Sequence, residues 1–180
     1  MNLEKQLYLK ITQECEKLIE RHHGYHNKLH AEWLRNKSRI VDAPAKVVKT
    51  PDSWSQDKKF DPFYVKANAK AIAKSIAKKI SNRTYKPNPP HIQTIPKSSG
   101  GNRELNVYQI PDAAVSNYFY SRLLAKNKHR FSSFSYAYRN DRNVHFAIQD
   151  IAEDISQEAR TFIAEFDFSD FFGSIEHKFL

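Results

Sequence analysis

The chain has 180 residues, 40% hydrophobic and 13% aromatic, which suits a folded core and excludes an intrinsically disordered polypeptide. A single cysteine, Cys15, excludes an internal disulfide, and no apolar run approaches the ~20 residues that span a bilayer. Residues 1–6 carry no signal-peptide pattern, so the expected setting is a soluble protein in a reducing cytoplasm.

The net charge of +9 is unevenly placed. Residues 1–34 carry 5 basic and 5 acidic side chains, residues 35–103 carry 16 against 4, and residues 104–180 carry 8 against 11. A basic middle beside an acidic end suggests a phosphate-binding surface next to a carboxylate site, or a basic surface that serves solubility alone.

In chain order, residues 3–34 read as helix, with Leu3, Leu7, Ile11, Leu18 and Ile19 at helical spacing and a break near Gly24. His22, His26 and His30 sit four apart, either three imidazoles aligned for a metal or a solvated polar face. Residues 35–60 read as irregular, anchored by Trp54 and Phe60. Asp61-Pro62 then opens a helix, because Asp caps free backbone N–H groups and Pro suits the first helical position. Within 63–80, Val65, Ala69, Ile72, Ile76 and Ile80 form an apolar stripe, and Lys66, Lys70, Lys74 and Lys78 form a cationic one. Like charges at that spacing weaken an isolated helix, and a polyanion along the ridge reverses the sign.

The proline-rich stretch 85–90 reads as a stiff connector. Residues 91–96 and 103–110 read as two strands of a hairpin turning at Gly100-Gly101. A helix follows from Pro111-Asp112 to about Lys126, with Val115, Tyr118, Phe119 and Leu123 expected inward. Residues 131–142 read as loop. Asn143 caps a helix to about 158 whose Val144, Ala147, Ile148, Ile151 and Ile155 are expected to face a core. Residues 161–168 read as a strand, with Phe162, Ala164, Phe166 and Phe168 on one face. Residues 174–180 begin a last helix.

Asp167 closes that strand, where a carboxylate before a turn can hold a hard cation. Alone this is a weak signal. It gains weight from its order: Ile95-Pro96-Lys97, Gly100-Gly101, Arg103, Ile110-Pro111-Asp112, Phe134 to Arg139, then Asp167-Phe168-Ser169-Asp170-Phe171-Phe172. These blocks resemble the bacterial reverse transcriptase family, that is, group II intron, retron and defence-associated enzymes. The resemblance covers residues 85–180 and, more loosely, the lead-in from Trp54 to Ile80.

The resemblance implies an α+β right-hand polymerase. Residues 1–60 would be a helical N-terminal extension, 61–158 the fingers and finger–palm junction, and 159–180 the start of the palm. The implied activity is RNA-directed DNA synthesis by two-metal nucleotidyl transfer, with Mg²⁺ as cofactor and an RNA template, a DNA or RNA primer and a dNTP as partners, in a retroelement or in anti-phage defence. Asp167, with the Phe168 carbonyl, would hold metal. Lys97, Arg103, Asp170, Phe171 and Phe172 would bind the nucleotide, Phe172 as the ring that clashes with a ribose 2′-OH. Tyr136 and Arg139, with Lys66, Lys70, Lys74 and Lys78, would contact nucleic acid.

One departure is large. The family's second catalytic element, an aromatic-x-Asp-Asp hairpin, has no counterpart in these 180 residues, which hold no Asp-Asp pair. The chain by itself is therefore expected not to polymerise: a fragment, a truncated product or a split-enzyme subunit. The competing reading is a non-catalytic, fingers-only nucleic-acid-binding module.

Overall fold

A computed structural model describes residues 2–43, 49–98, 100–157, 160, 162–168, 174–176 and 178. It is a mixed helical and stranded α+β structure that divides into two compact units, residues 1–128 and 129–180. This division falls at neither 60 nor 158. The N-terminal helix is no separate lobe, because its apolar face is the centre of the first unit's core.

That helix, α1 (Leu3–Lys37), runs without interruption through Gly24. The expected break is absent because one interior glycine costs a long helix only about 1 kcal/mol, too little to end it. No atom lies within 4 Å of the position a Cβ would take there. Gly24→Ala is therefore expected to stabilise the protein by about 1 kcal/mol, seen as a raised urea midpoint at unchanged slope.

After α1 come a short α2 (Ser53–Gln56), a 3₁₀ turn (Lys58–Phe60), α3 (Pro62–Ala67) and α4 (Ala69–Ser81). Asp61 caps α3 as expected, its Oδ1 accepting from the Phe63 N–H at 2.9 Å. The single helix expected over 63–80 is two, interrupted at Asn68 (φ −105°, ψ 9°). The Asn68 side-chain amide donates to the Tyr64 carbonyl at 2.9 Å, so the side chain competes for an acceptor the backbone ladder uses.

β1 (His91–Pro96) and β2 (Asn102–Val107) form an antiparallel hairpin in which Ile95 pairs with Arg103. Its turn uses Gly100 (φ +89°) and Gly101 (φ +81°), a backbone region few other residues enter cheaply. α5 (Ile110–Asn127) closes the first unit.

α1 packs on α3, α4 and α5. Leu7, Ile11 and Cys15 from α1 meet Val65, Ala69, Ala73, Ile76 and Ala77 from α3 and α4 and Ile110, Ala114, Val115 and Tyr118 from α5. The small residues let the helices approach closely. Burial pushes the Cys15 thiol up to about 11, an unreactive neutral group. Polar contacts fix the α1–α5 register: Asn117 Nδ2 donates to Glu14 Oε1 at 2.9 Å, and Lys10 Nζ donates to Asn117 Oδ1 and Ser121 Oγ, each at 3.4 Å. Leu7 is fully buried, so Leu7→Ala is expected to cost about 3 kcal/mol by lost transfer energy and cavity formation, measured by urea unfolding. Of the residues expected inward, Val115 and Tyr118 are buried with Ala114 in the shared core, while Phe119 and Leu123 are exposed.

The second unit contains a loop at 131–142 and α6 (Val144–Gln157), capped by Asn143 Oδ1 accepting from the His145 N–H at 2.9 Å. The helix stands where the sequence put it, but Val144, Ile148, Ile151 and Ile155 are exposed rather than facing a core. The strand expected at 161–168 is not formed over the described 162–168. An extended segment needs a ladder partner, and the two strands among the described residues pair with each other. Phe162 and Phe166 are 96% and 92% exposed. Residues 174–176 form no helix, and the rest of that expected last helix, apart from residue 178, lies outside the described residues.

Candidate functional site

The hairpin presents the first group of candidate residues. Lys97 is the first residue after β1; its N–H donates to the Gly101 carbonyl at 3.0 Å, and its carbonyl accepts from the Gly100 N–H at 3.1 Å. Arg103 lies one residue inside β2. By strand alternation Gln93, Ile95, Arg103 and Leu105 share one face, and Lys97 continues it at the turn. Both cations are exposed on a hairpin whose base is held by the His91 ring edge-on to Phe60.

The stiff connector is tied to the start of α5. Asp112, in the first turn of α5, is buried. Its Oδ1 accepts from the Tyr85 hydroxyl at 2.5 Å, and its Oδ2 accepts from Asn88 N at 3.0 Å and Asn88 Nδ2 at 3.2 Å. Asn88 Nδ2 also donates to Gln109 Oε1 at 2.9 Å. In the sequence Asp112 stands as a helix opener and as part of the Ile110-Pro111-Asp112 block, neither of which points to this clamp. The signal missed is the Tyr85-x-x-Asn88 pair, whose donors reach one carboxylate 24 to 27 residues on.

The four lysines of the ridge are all exposed, on α3 (Lys66) and α4 (Lys70, Lys74, Lys78). Lys66 pairs with Glu16 at 3.0 Å. Lys70 borders an open groove with Asn2, Glu4, Lys5 and Tyr8 of the α1 start. The ridge is thus interrupted at Asn68 and partly neutralised at Lys66, with Lys70, Lys74 and Lys78 continuing along α4.

In the second unit, Arg139 is committed within its own loop. Its guanidinium makes a two-pronged pair with Asp141 at 3.0 and 2.8 Å, donates to the Ser132 carbonyl at 3.0 Å and lies 5.7 Å from the centre of the Phe131 ring. The Tyr136 hydroxyl donates to Asp150 of α6, and that bond pushes the phenol's pKa up. Tyr138 is 87% exposed and sits at φ +58°, a left-handed conformation costly for a bulky residue.

Asp167 is exposed, its Oδ1 accepting from the Phe168 N–H at 2.8 Å. Asp170, Phe171 and Phe172 lie outside the described residues. Among the described residues no group of three or more His, Cys, Asp or Glu side chains is placed to hold a metal. His22 and His30 are instead in ring contacts, with Trp54 at 5.1 Å and Trp33 at 5.8 Å. The oxygen donors of Asp167 and the Phe168 carbonyl fit Mg²⁺ by type. By number they fall short of a two-ion clamp.

No family model matches the chain, and no curated protein matches its sequence. No helix among the described residues is long and apolar enough to cross a membrane.

Proposed function

We propose that this chain supplies the fingers and the first palm carboxylate of an RNA-directed DNA polymerase. The observation that carries the reading is the exposed glycine-turned hairpin with Lys97 and Arg103 flanking its turn on one face, followed in the chain by the Asp167 block. Two cations at the turn end of a hairpin suit a triphosphate, whose charge they neutralise as it is gripped. Asp167 would carry the metal carboxylate and Phe172 the sugar-sensing ring. When bound, Mg²⁺ would supply electrostatic stabilisation of the attacking and leaving oxygens. A retroelement or an anti-phage system would use the same chemistry.

The test is dNTP binding by the purified chain with and without Mg²⁺. Binding that needs Mg²⁺, and that falls at least about tenfold in Lys97→Gln and in Arg103→Gln, supports the reading. Binding of RNA with no Mg²⁺-dependent dNTP binding would sink it. That second outcome is the one expected of a fingers-only nucleic-acid-binding module, a reading favoured by the exposed Lys70, Lys74 and Lys78 on α4.

A further inference from the structure

A groove of about 500 Å³ lies within the first unit, away from the hairpin turn. It is lined by Leu18, Arg21, His22 and Tyr25 of α1, by the segment from Lys49 to Trp54, and by Gln93 of β1. Its size falls in the usual range for ligand sites, roughly 300–1,000 Å³. Its composition is specific. Tyr25 is exposed and Trp54 half-buried, and Trp54 is braced by His22 at 5.1 Å and by the edge of Phe63 at 6.0 Å. Arg21 and Lys49 are exposed at the groove, and among its lining residues Asp52 is the one carboxylate.

We infer that this groove is a stacking site for single-stranded nucleic acid. An indole face held by neighbouring rings, as Trp54 is, accepts a base's π-face with little loss of side-chain freedom, the exposed Tyr25 ring offers a second, and both do so for every base. Two cations beside them suit the flanking phosphates. A third feature sets the direction of the strand's path. Gln93 shares its hairpin face with Ile95 and Arg103, and that face leads on to Lys97. The position of Ile95 and Arg103 is two residues, about 7 Å, farther along the strand. The groove and the cationic turn are therefore joined along one side of the hairpin. An acidic peptide would meet the same cations but would leave the aromatic wall without a planar partner. This inference concerns residues of α1 and the 49–54 segment and holds whether or not Asp167 is catalytic.

The chain has two tryptophans, so Trp33→Phe leaves Trp54 as the only indole reporter. The full chain with that change is titrated with twelve-nucleotide oligo(dT) and oligo(U), following both its emission and the anisotropy of a labelled strand. Single strands should quench Trp54 as they bind, and the strand that quenches identifies the sugar preferred. Trp54→Ala should weaken binding at least about tenfold. So should Tyr25→Ala, whose exposed ring can be removed without disturbing the Trp54–His22–Phe63 packing. Arg21→Gln and Lys49→Gln should each lower the salt slope by about 0.7. The inference is overturned if base-free polyphosphate or polyglutamate binds and quenches as well as the oligonucleotides. It is equally overturned if strands bind with Trp54 emission unchanged and Lys70→Gln with Lys74→Gln alone removes the binding.

Discussion

Asp167→Asn is expected to abolish nucleotide incorporation in any polymerising assembly that contains this chain, while leaving folding and RNA binding intact. The substitution keeps size and shape and removes one negative charge. Loss of a metal-holding carboxylate forfeits several kcal/mol of charge stabilisation in the transition state, about a thousandfold or more in rate. Folding should be indifferent, because Asp167 is exposed and its hydrogen bond among the described residues, from the Phe168 N–H, can equally be accepted by an asparagine oxygen. Primer extension on an RNA template, with circular dichroism as the folding control, reads the result. Synthesis within tenfold of the parent would remove Asp167 from the catalytic set. Loss of synthesis with loss of helical signal would mean that the residue is structural, against its exposure.

Local chemistry written into neighbouring residues was legible in the sequence. Asp61-Pro62 and Asn143 start helices where they stand, and Gly100-Gly101 turns the hairpin, since each signal acts within four residues. What failed turned on a balance of energies or on a partner that no local pattern names. Gly24 reads as a breaker only if its roughly 1 kcal/mol is weighed alone; a 35-residue helix whose Leu7–Ile11–Cys15 stripe is buried tolerates it. Asn68 was invisible inside an Ala/Lys-rich run because its effect comes from one side-chain amide finding the Tyr64 carbonyl. The apolar periodicity of α6 correctly located a helix, but periodicity identifies an apolar face and not what covers it. The same holds for 162–168, whose alternation names a strand while pairing depends on a neighbour.

The candidate site divides along the same line. The placement of Lys97 and Arg103 on the two sides of one hairpin turn was legible, because Gly100-Gly101 names the turn between them. The contacts of Arg139 were not, because nothing in a lone loop arginine foretells a two-pronged pair with Asp141 and a seat on Phe131. The Trp54 groove was missed for a further reason. It assembles α1, the 49–54 segment and β1, three stretches that the sequence reading took as an extension, a linker and a finger.

Asp112→Ala is expected to destabilise the first unit by about 4 kcal/mol, the largest stability effect of any single change proposed, since removing a buried charge leaves its donors without an acceptor. The Tyr85 hydroxyl and the Asn88 backbone N–H lose that acceptor, the Asn88 side-chain amide keeps only its bond to Gln109 Oε1, and α5 loses the carboxylate in its first turn. Asp112→Asn should cost roughly half as much, about 2 kcal/mol, because one oxygen remains while the amide nitrogen confronts an Asn88 donor. The clamp also predicts a dependence on alkaline pH. Burial, and then the hydrogen bond to the Asp112 carboxylate and its charge, hold the Tyr85 phenol well above its ordinary value of 10. The folded state thus keeps the Tyr85 proton more firmly than the unfolded chain does. The resulting stabilisation is complete below pH about 10 and is lost as pH climbs from there towards the raised folded value. Urea midpoints at pH 8 and pH 10.5 should separate in the parent and should separate less in Tyr85→Phe, which has no proton to hold. A loss below about 1 kcal/mol in Asp112→Ala would show that the 85–90 connector is held by its prolines alone, with the carboxylate incidental to the fold.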